Sequence, residues 1–100
     1  MAAALILEFS GVGDLEYEAV NKILGIDTQT GDGDWPPGLL SHAAGTSDEG
    51  TFIVSEIWSS RADQEDFMAT RLGAALVAGG VLVAPAMRWV NLIAYSEPES

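Results

Sequence analysis

One stretch limits what this chain can become: residues 51–67, reading TFIVSEIWSSRADQEDF. Phe52, Val54, Glu56 and Trp58 alternate with Ile53, Ser55 and Ile57, which is the period of two of an extended strand. The alternation stops at Ser59-Ser60. From there Ser60-Arg61-Ala62-Asp63 has the form of a capping box with Asp in place of Glu, so a helix with an acidic first turn follows at once. A strand joined so directly to a helix suggests a sheet that carries helices on one face.

The remaining segments supply partners for this joint. Residues 3–9 (AALILEF) form an apolar run bounded by Ser10 and Gly11 and predict a first strand. Asp14 is suited to be an N-cap, Tyr17, Val20 and Leu24 have helical spacing, and Gly25 is a stop, which predicts a helix over 14–24. Residues 26–37 read as a loop, broken by Gly31, Gly33 and Pro36-Pro37. A second strand is expected over 38–45, returning through the polar turn 46–50 into the strand 51–58 as an antiparallel hairpin. The second helix should carry Phe67, Leu72 and Leu76 inward, bend or break at Gly73 and end at Gly79-Gly80. Residues 87–95 (MRWVNLIAY) predict the last strand, and the tail 97–100 should fray.

The resulting order, β-α-β-β-α-β, with right-handed crossovers gives an α+β, ferredoxin-like protomer: a four-stranded antiparallel sheet with two helices on one face. One such domain fills residues 1–96. Its other sheet face would expose apolar side chains, which a second copy of the chain would cover.

Composition removes several classes of function. Four basic residues, Lys22, Arg61, Arg71 and Arg88, stand against fifteen acidic ones, for a formal net charge of −11. Nucleic-acid binding needs cations to displace phosphate counterions, and anionic membranes would repel this surface. Without cysteine there is no thiol catalysis, disulfide or Cys-based zinc site. Residues 2–7 lack the basic region of a signal peptide, and 74–87 is too short and too broken to span a bilayer. The expected compartment is the cytoplasm. Gly11-Val12-Gly13 opens a helix, but Glu16 stands where a dinucleotide fingerprint needs its third glycine. Asp27, Asp32 and Asp34 lack calcium-loop spacing, so a solvated acidic loop is expected and no metal site. Ser41 and His42 point to opposite sheet faces, which disfavours serine hydrolysis. Haem could use His42 as an axial ligand, but few cations remain for its propionates, and no cofactor is expected.

The hairpin defines the candidate site. A turn centred near Asp48 pairs even-numbered residues with even-numbered ones, placing Leu40, His42 and Ala44 on one face with Phe52, Val54, Glu56 and Trp58. Histidine is the residue type that titrates near neutral pH, so His42 is a candidate proton shuttle with Glu56 to orient it. The alternative is a hydrogen-bonded strand histidine with Trp58 as core. Leu40, Val54 and Trp58 would wall a cavity, joined by Trp89 and Asn91, which share a parity in the last strand. Asn91 can equally be structural. Tyr95 either closes the rim or ends the strand. Trp35 either covers the cavity or anchors its loop at a partner subunit, and Tyr17 is expected to pack its helix on the sheet.

The segment Glu56-Ile57-Trp58-x-Ser60, followed by Phe67, resembles the dimeric α/β-barrel superfamily, in particular its antibiotic biosynthesis monooxygenase-like branch, and the element order extends the resemblance over nearly the whole chain. The resemblance implies a homodimer whose paired sheets enclose an apolar cavity for a small aromatic or polyketide-like molecule. It further implies a cofactor-independent monooxygenase or a related isomerase/cyclase, with His42 and Glu56 as acid/base candidates. The competing expectation is a non-catalytic binding, sensor or assembly protein of the same fold.

Overall fold

The computed structural model describes residues 2–98. Four strands, β1 (Ala3–Phe9), β2 (Leu39–Thr46), β3 (Phe52–Trp58) and β4 (Ala86–Asn91), form one sheet in the order β2-β3-β1-β4. Every neighbouring pair is antiparallel. Helix α1 (Asp14–Leu24) links β1 to β2. Between β3 and β4 runs one helical rod made of α2 (Arg61–Phe67), a π-helical segment (Met68–Leu72) and α3 (Gly73–Ala78). This is the β-α-β-β-α-β order expected from the sequence. Of the tail expected to fray, residues 97 and 98 have no regular structure, and 99 and 100 lie outside the described residues.

The core sits between the sheet and the helices. In β1, Ala3, Leu5, Leu7 and Phe9 are buried, while Ala4, Ile6 and Glu8 are half-exposed on the opposite face. Strand β3 repeats the pattern, burying Phe52, Val54, Glu56 and Trp58. These side chains pack with Val20 and Leu24 of α1 and with Phe67, Leu72 and Ala75 of the rod, so both helices cover one sheet face. Burial of such aliphatic and aromatic side chains stabilises by about 1.5–3 kcal/mol each. The edge strands β2 and β4 are largely exposed.

Local chemistry sets the helix ends. Gly13, not Asp14, is the N-cap of α1, and the Glu16 carboxylate accepts the Gly13 N–H at 2.7 Å. That is the returning half of a capping box, and it leaves Asp14 as the first helical residue, where its charge still faces the positive end of the dipole. At the other end Gly25 takes φ 81°, the left-handed stop a glycine favours. Ser60 caps α2 as expected, its Oγ accepting the Asp63 N–H at 3.2 Å, but the Asp63 carboxylate turns to the Ser59 hydroxyl at 2.6 Å.

The irregularity in the rod does not fall at Gly73, which has ordinary helical angles (φ −56°, ψ −47°). It lies in the preceding turn, where the Gly73 N–H donates to the Met68 carbonyl five residues back. A Cβ on residue 73 would stand 3.0 Å from that oxygen, so a glycine here lets the wide turn close. One π-turn brings residues five apart to the same side, and Phe67 and Leu72 are accordingly both buried.

The strands differ from expectation in two ways. β4 ends at Asn91, so residues 92–95 lie outside the sheet. In β2 a bulge separates Leu39, opposite Trp58, from Ser41, opposite Ile57. The extra residue is Leu40, which is 46% exposed. A bulge shifts parity by one, and so Leu39 takes the inward place foreseen for Leu40.

Candidate functional site

Beyond the bulge the expected register holds: His42 faces Glu56 across β2 and β3, Glu56 faces Leu5, and Leu5 faces Trp89. This row runs across all four strands on the helix-covered face. The cavity beside His42 therefore lies within one chain, between sheet and helices, and not between two paired sheets as the resemblance implied. The cause is the inward parity of β2 and β3, which sends His42 and Glu56 toward α1.

Four side chains make one hydrogen-bonded line. Tyr17 of α1 meets His42 Nε2 at 2.8 Å, His42 Nδ1 meets Glu56 Oε2 at 3.2 Å, and Trp58 Nε1–H donates to Glu56 Oε1 at 3.0 Å. An ionised carboxylate only accepts, so with Glu56 as the anion the proton sits on Nδ1 and Nε2 accepts from the Tyr17 hydroxyl. Glu56 is 6% and His42 16% exposed at the side chain, so the pair sits at the inner edge of solvent access.

Aromatic rings surround the imidazole. Trp35 lies 5.2 Å from His42 between ring centroids, and Tyr17 lies 5.3 Å from Phe52. The cavity itself, about 60 Å3, is lined by Leu7, Phe9, Val20, Leu39, Val54 and Phe67, with His42, Glu56 and Tyr17 at its polar end. It contains no Lys or Arg side chain, and its other acidic lining residue, Glu16, is occupied at the Gly13 cap. That volume admits a few waters. Small-molecule sites are commonly about 300–1,000 Å3, so the cavity is small beside them, with Trp35 and Pro36 as its loop-borne wall.

The structure brings Trp35, Val54, His42 and Glu56 to the cavity. Trp58 is fully buried beneath it, packed on Phe67 at 5.9 Å, and reaches the site only through its N–H to Glu56. Trp89 and Asn91 gather instead around Arg61, whose guanidinium lies 5.0 Å from the Trp89 ring and donates to Asn91 Oδ1 at 2.9 Å. Leu40 is turned away by the bulge, and Tyr95 donates to Glu97 at 2.6 Å outside the sheet. Among the described residues no group of three or more His, Cys, Asp or Glu is placed to hold a metal ion.

Tyr17 is the residue sequence reasoning missed as a site member. A tyrosine at a helical apolar position reads as packing, and its partner His42 lies 25 residues further along the chain. Burial pushes its phenol above the usual 10.0, with Glu18 and then Glu56 adding to the effect and a hydrogen bond with Asn21 opposing it. A raised folded-state value means that the fold prefers the neutral phenol. Its contribution is complete below pH 10 and is lost as pH climbs through the higher folded value. Denaturant midpoints should therefore fall above pH 10 in the wild type, and the fall should be smaller in Tyr17→Phe. Equal falls in both proteins would assign the alkaline loss to other groups, Tyr95 among them.

The arrangement defines a class: a ferredoxin-like α+β protein with an apolar cavity ending in a Tyr-His-Glu hydrogen-bonded line. No protein-family model and no curated protein sequence matches the chain. Solved structures share its fold. Rv0793 from Mycobacterium tuberculosis superposes with a TM-score of 0.67 at 15% identity, over 97% of this chain and 100% of that one. A protein of Chloroflexus aurantiacus J-10-fl, provisionally named an antibiotic biosynthesis monooxygenase, gives 0.64 at 14% identity, over 97% and 98%. A monooxygenase from the gene ActVA-Orf6 of Streptomyces coelicolor, solved with the ligand nanaomycin D, gives 0.54 at 19% identity, over 98% and 91%. The chain thus has the ferredoxin-like fold of antibiotic biosynthesis monooxygenase-like proteins.

Proposed function

We propose that this protein binds a small, neutral aromatic or polyketide-like molecule in the cavity and performs acid–base chemistry on it without a cofactor. The reaction is a monooxygenation or a related isomerisation or cyclisation, carried out by a homodimer in the cytoplasm. The observation that carries this reading is the Tyr17–His42–Glu56 line at the mouth of an apolar, cation-free cavity. His42 Nε2 is the base. When a substrate hydroxyl or acidic C–H displaces the Tyr17 hydroxyl, Nε2 takes its proton, and Glu56, held by Trp58, stabilises the resulting imidazolium. Proton removal opens each of the three reaction types, so the line supports the class rather than one member. In the monooxygenation the deprotonated substrate itself reduces dioxygen as co-substrate, one oxygen atom entering the product and the other leaving as water. The ligand complex of the Streptomyces monooxygenase is in keeping with an organic ligand in this fold. The homodimer is supported by the half-exposed Ile6, Ile53 and Ile57 and the exposed Val90 on the face away from the helices.

The test is a thermal-shift screen with phenols, naphthols and quinols, run on samples sized by sedimentation. A ligand at a hundred times its Kd adds about 2.7 kcal/mol, or roughly 10 °C or more for a domain this small. Hits that turn over establish the enzyme. Hits without turnover assign a binding or sensor role, which the small cavity and fully paired polar line would also suit. A flat screen sinks the small-molecule reading, and a stable folded monomer sinks the dimer.

A further inference from the structure

The loop between α1 and β2 contributes Trp35 and Pro36 to the cavity wall, and it is held by one side chain of the helical rod. Within the loop the Asp27 N–H donates to the Asp32 carbonyl at 2.8 Å, the Gly31 N–H to the Asp27 carbonyl at 2.9 Å, and Trp35 Nε1–H to the Gly31 carbonyl at 2.8 Å. These bonds make a self-contained unit that carries the Trp35 ring onto His42. Its base is closed by the Asp34 N–H donating to the Gly25 carbonyl at 3.0 Å.

Arg71, in the π-helical segment, spans that base. Its Nη2 donates to the Asp34 carbonyl at 2.8 Å and to the Leu24 carbonyl at 3.0 Å, and lies 3.4 Å from Asp34 Oδ2. The guanidinium also lies 5.3 Å from the Phe67 ring, itself part of the cavity wall. One planar cation thus ties together the end of α1, the residue before Trp35 and the rod. The carbonyls it binds are main-chain groups, one of them among the unpaired carbonyls of a helix end. Asp34 is 78% exposed at its side chain, so its ion pair adds little beside the two main-chain bonds.

We propose that Arg71 is a specificity-determining residue: by pinning the loop at Asp34 it sets the position of Trp35 and so the size of ligand that the cavity admits. The inference rests on the cavity being the binding site. At about 60 Å3 the cavity is small beside the usual small-molecule site, so a larger ring has to lift the Trp35 wall further than a small one. The work of lifting goes into breaking the Arg71 bonds. A small ring is therefore favoured over a large one while Arg71 is present, and the preference relaxes without it.

The experiment compares wild type, Arg71→Met and Arg71→Lys in two measurements. The first, amide hydrogen exchange, needs no ligand: the Asp34 amide should exchange about tenfold faster in Arg71→Met, with Leu5 and Val54 amides in the central strands unchanged. The second measures Kd for phenol, 1-naphthol and 1-anthrol. The ratio of 1-anthrol to phenol affinity should rise at least about tenfold in Arg71→Met. Arg71→Lys, which keeps the charge but not the planar fork, should fall between. Unchanged Asp34 exchange overturns the pinning. Faster exchange with an unchanged size ratio overturns the specificity role and leaves the proposed function standing. Faster exchange with no binding of any probe to wild type or variants overturns both.

Discussion

Replacing His42 by Ala should reduce turnover of the best-binding hydroxyaromatic by roughly 100- to 10,000-fold, the usual range for a lost general base. The fold should survive. His42 sits on the exposed edge strand β2, and the Tyr17 hydroxyl and Glu56 carboxylate it leaves behind border the cavity, where water can replace it. His42 makes two hydrogen bonds, one of them to a carboxylate, so the stability cost is about 1–3 kcal/mol. Steady-state rates beside a denaturation curve check both halves. Turnover within a few-fold of wild type would remove His42 from the mechanism. Unfolding of the variant would make the line structural. Tyr17→Phe is the informative companion: if a substrate group displaces the Tyr17 hydroxyl, this variant keeps most of its rate while His42→Ala does not.

The largest loss of stability should come from Trp58→Ala. Its side chain is fully buried, packs on Phe67 and sits at the end of β3 between Ala3 and Leu39. Truncating a buried Trp costs about 3–5 kcal/mol, a large share of the roughly 5–15 kcal/mol available to a domain. The expected fall in Tm is roughly 10–40 °C for a chain of this size. Trp58→Phe keeps most of the packing and removes only the N–H that holds Glu56 Oε1, so about 1–3 kcal/mol is expected. Denaturant unfolding of both variants separates packing from hydrogen bonding. A loss below about 1.5 kcal/mol for Trp58→Ala would mean that the core closes over the gap more readily than its packing indicates.

Much of the fold was legible because its signals are local. The apolar run 3–9 and the glycine after Leu24 give the first strand and the end of α1 within their own residues. The hairpin register was legible too, since a turn near Asp48 decides parity, and His42 does pair with Glu56. Leu40 shows the limit. A bulge inserts one residue without disturbing the apolar pattern around it, so Leu39 and Leu40 exchange places with no sign in the sequence.

The site was legible only in half. His42 and Glu56 lie in one hairpin, whereas Tyr17 arrives from α1 and Trp35 from a loop. Trp58 and Trp89 share the face expected of them, yet one is sealed in the core and the other stacks under Arg61. Parity names a face but not which part of it the helices leave open. β1 carries apolar residues on both faces, so its pattern did not say which side the helices cover or where the cavity lies.

The sequence by itself determined the elements, their order and the pairing of His42 with Glu56, since period, caps and turn centre act over a few neighbouring residues. Only the tertiary structure decided that the cavity lies between sheet and helices, that Tyr17 completes the line, and that Arg71 binds the main chain at Leu24 and Asp34, beside Trp35. Those contacts join residues 25 to 47 positions apart, and their geometry depends on how helices seat on a sheet. That seating is chosen by the packing of the whole core, which no local pattern contains.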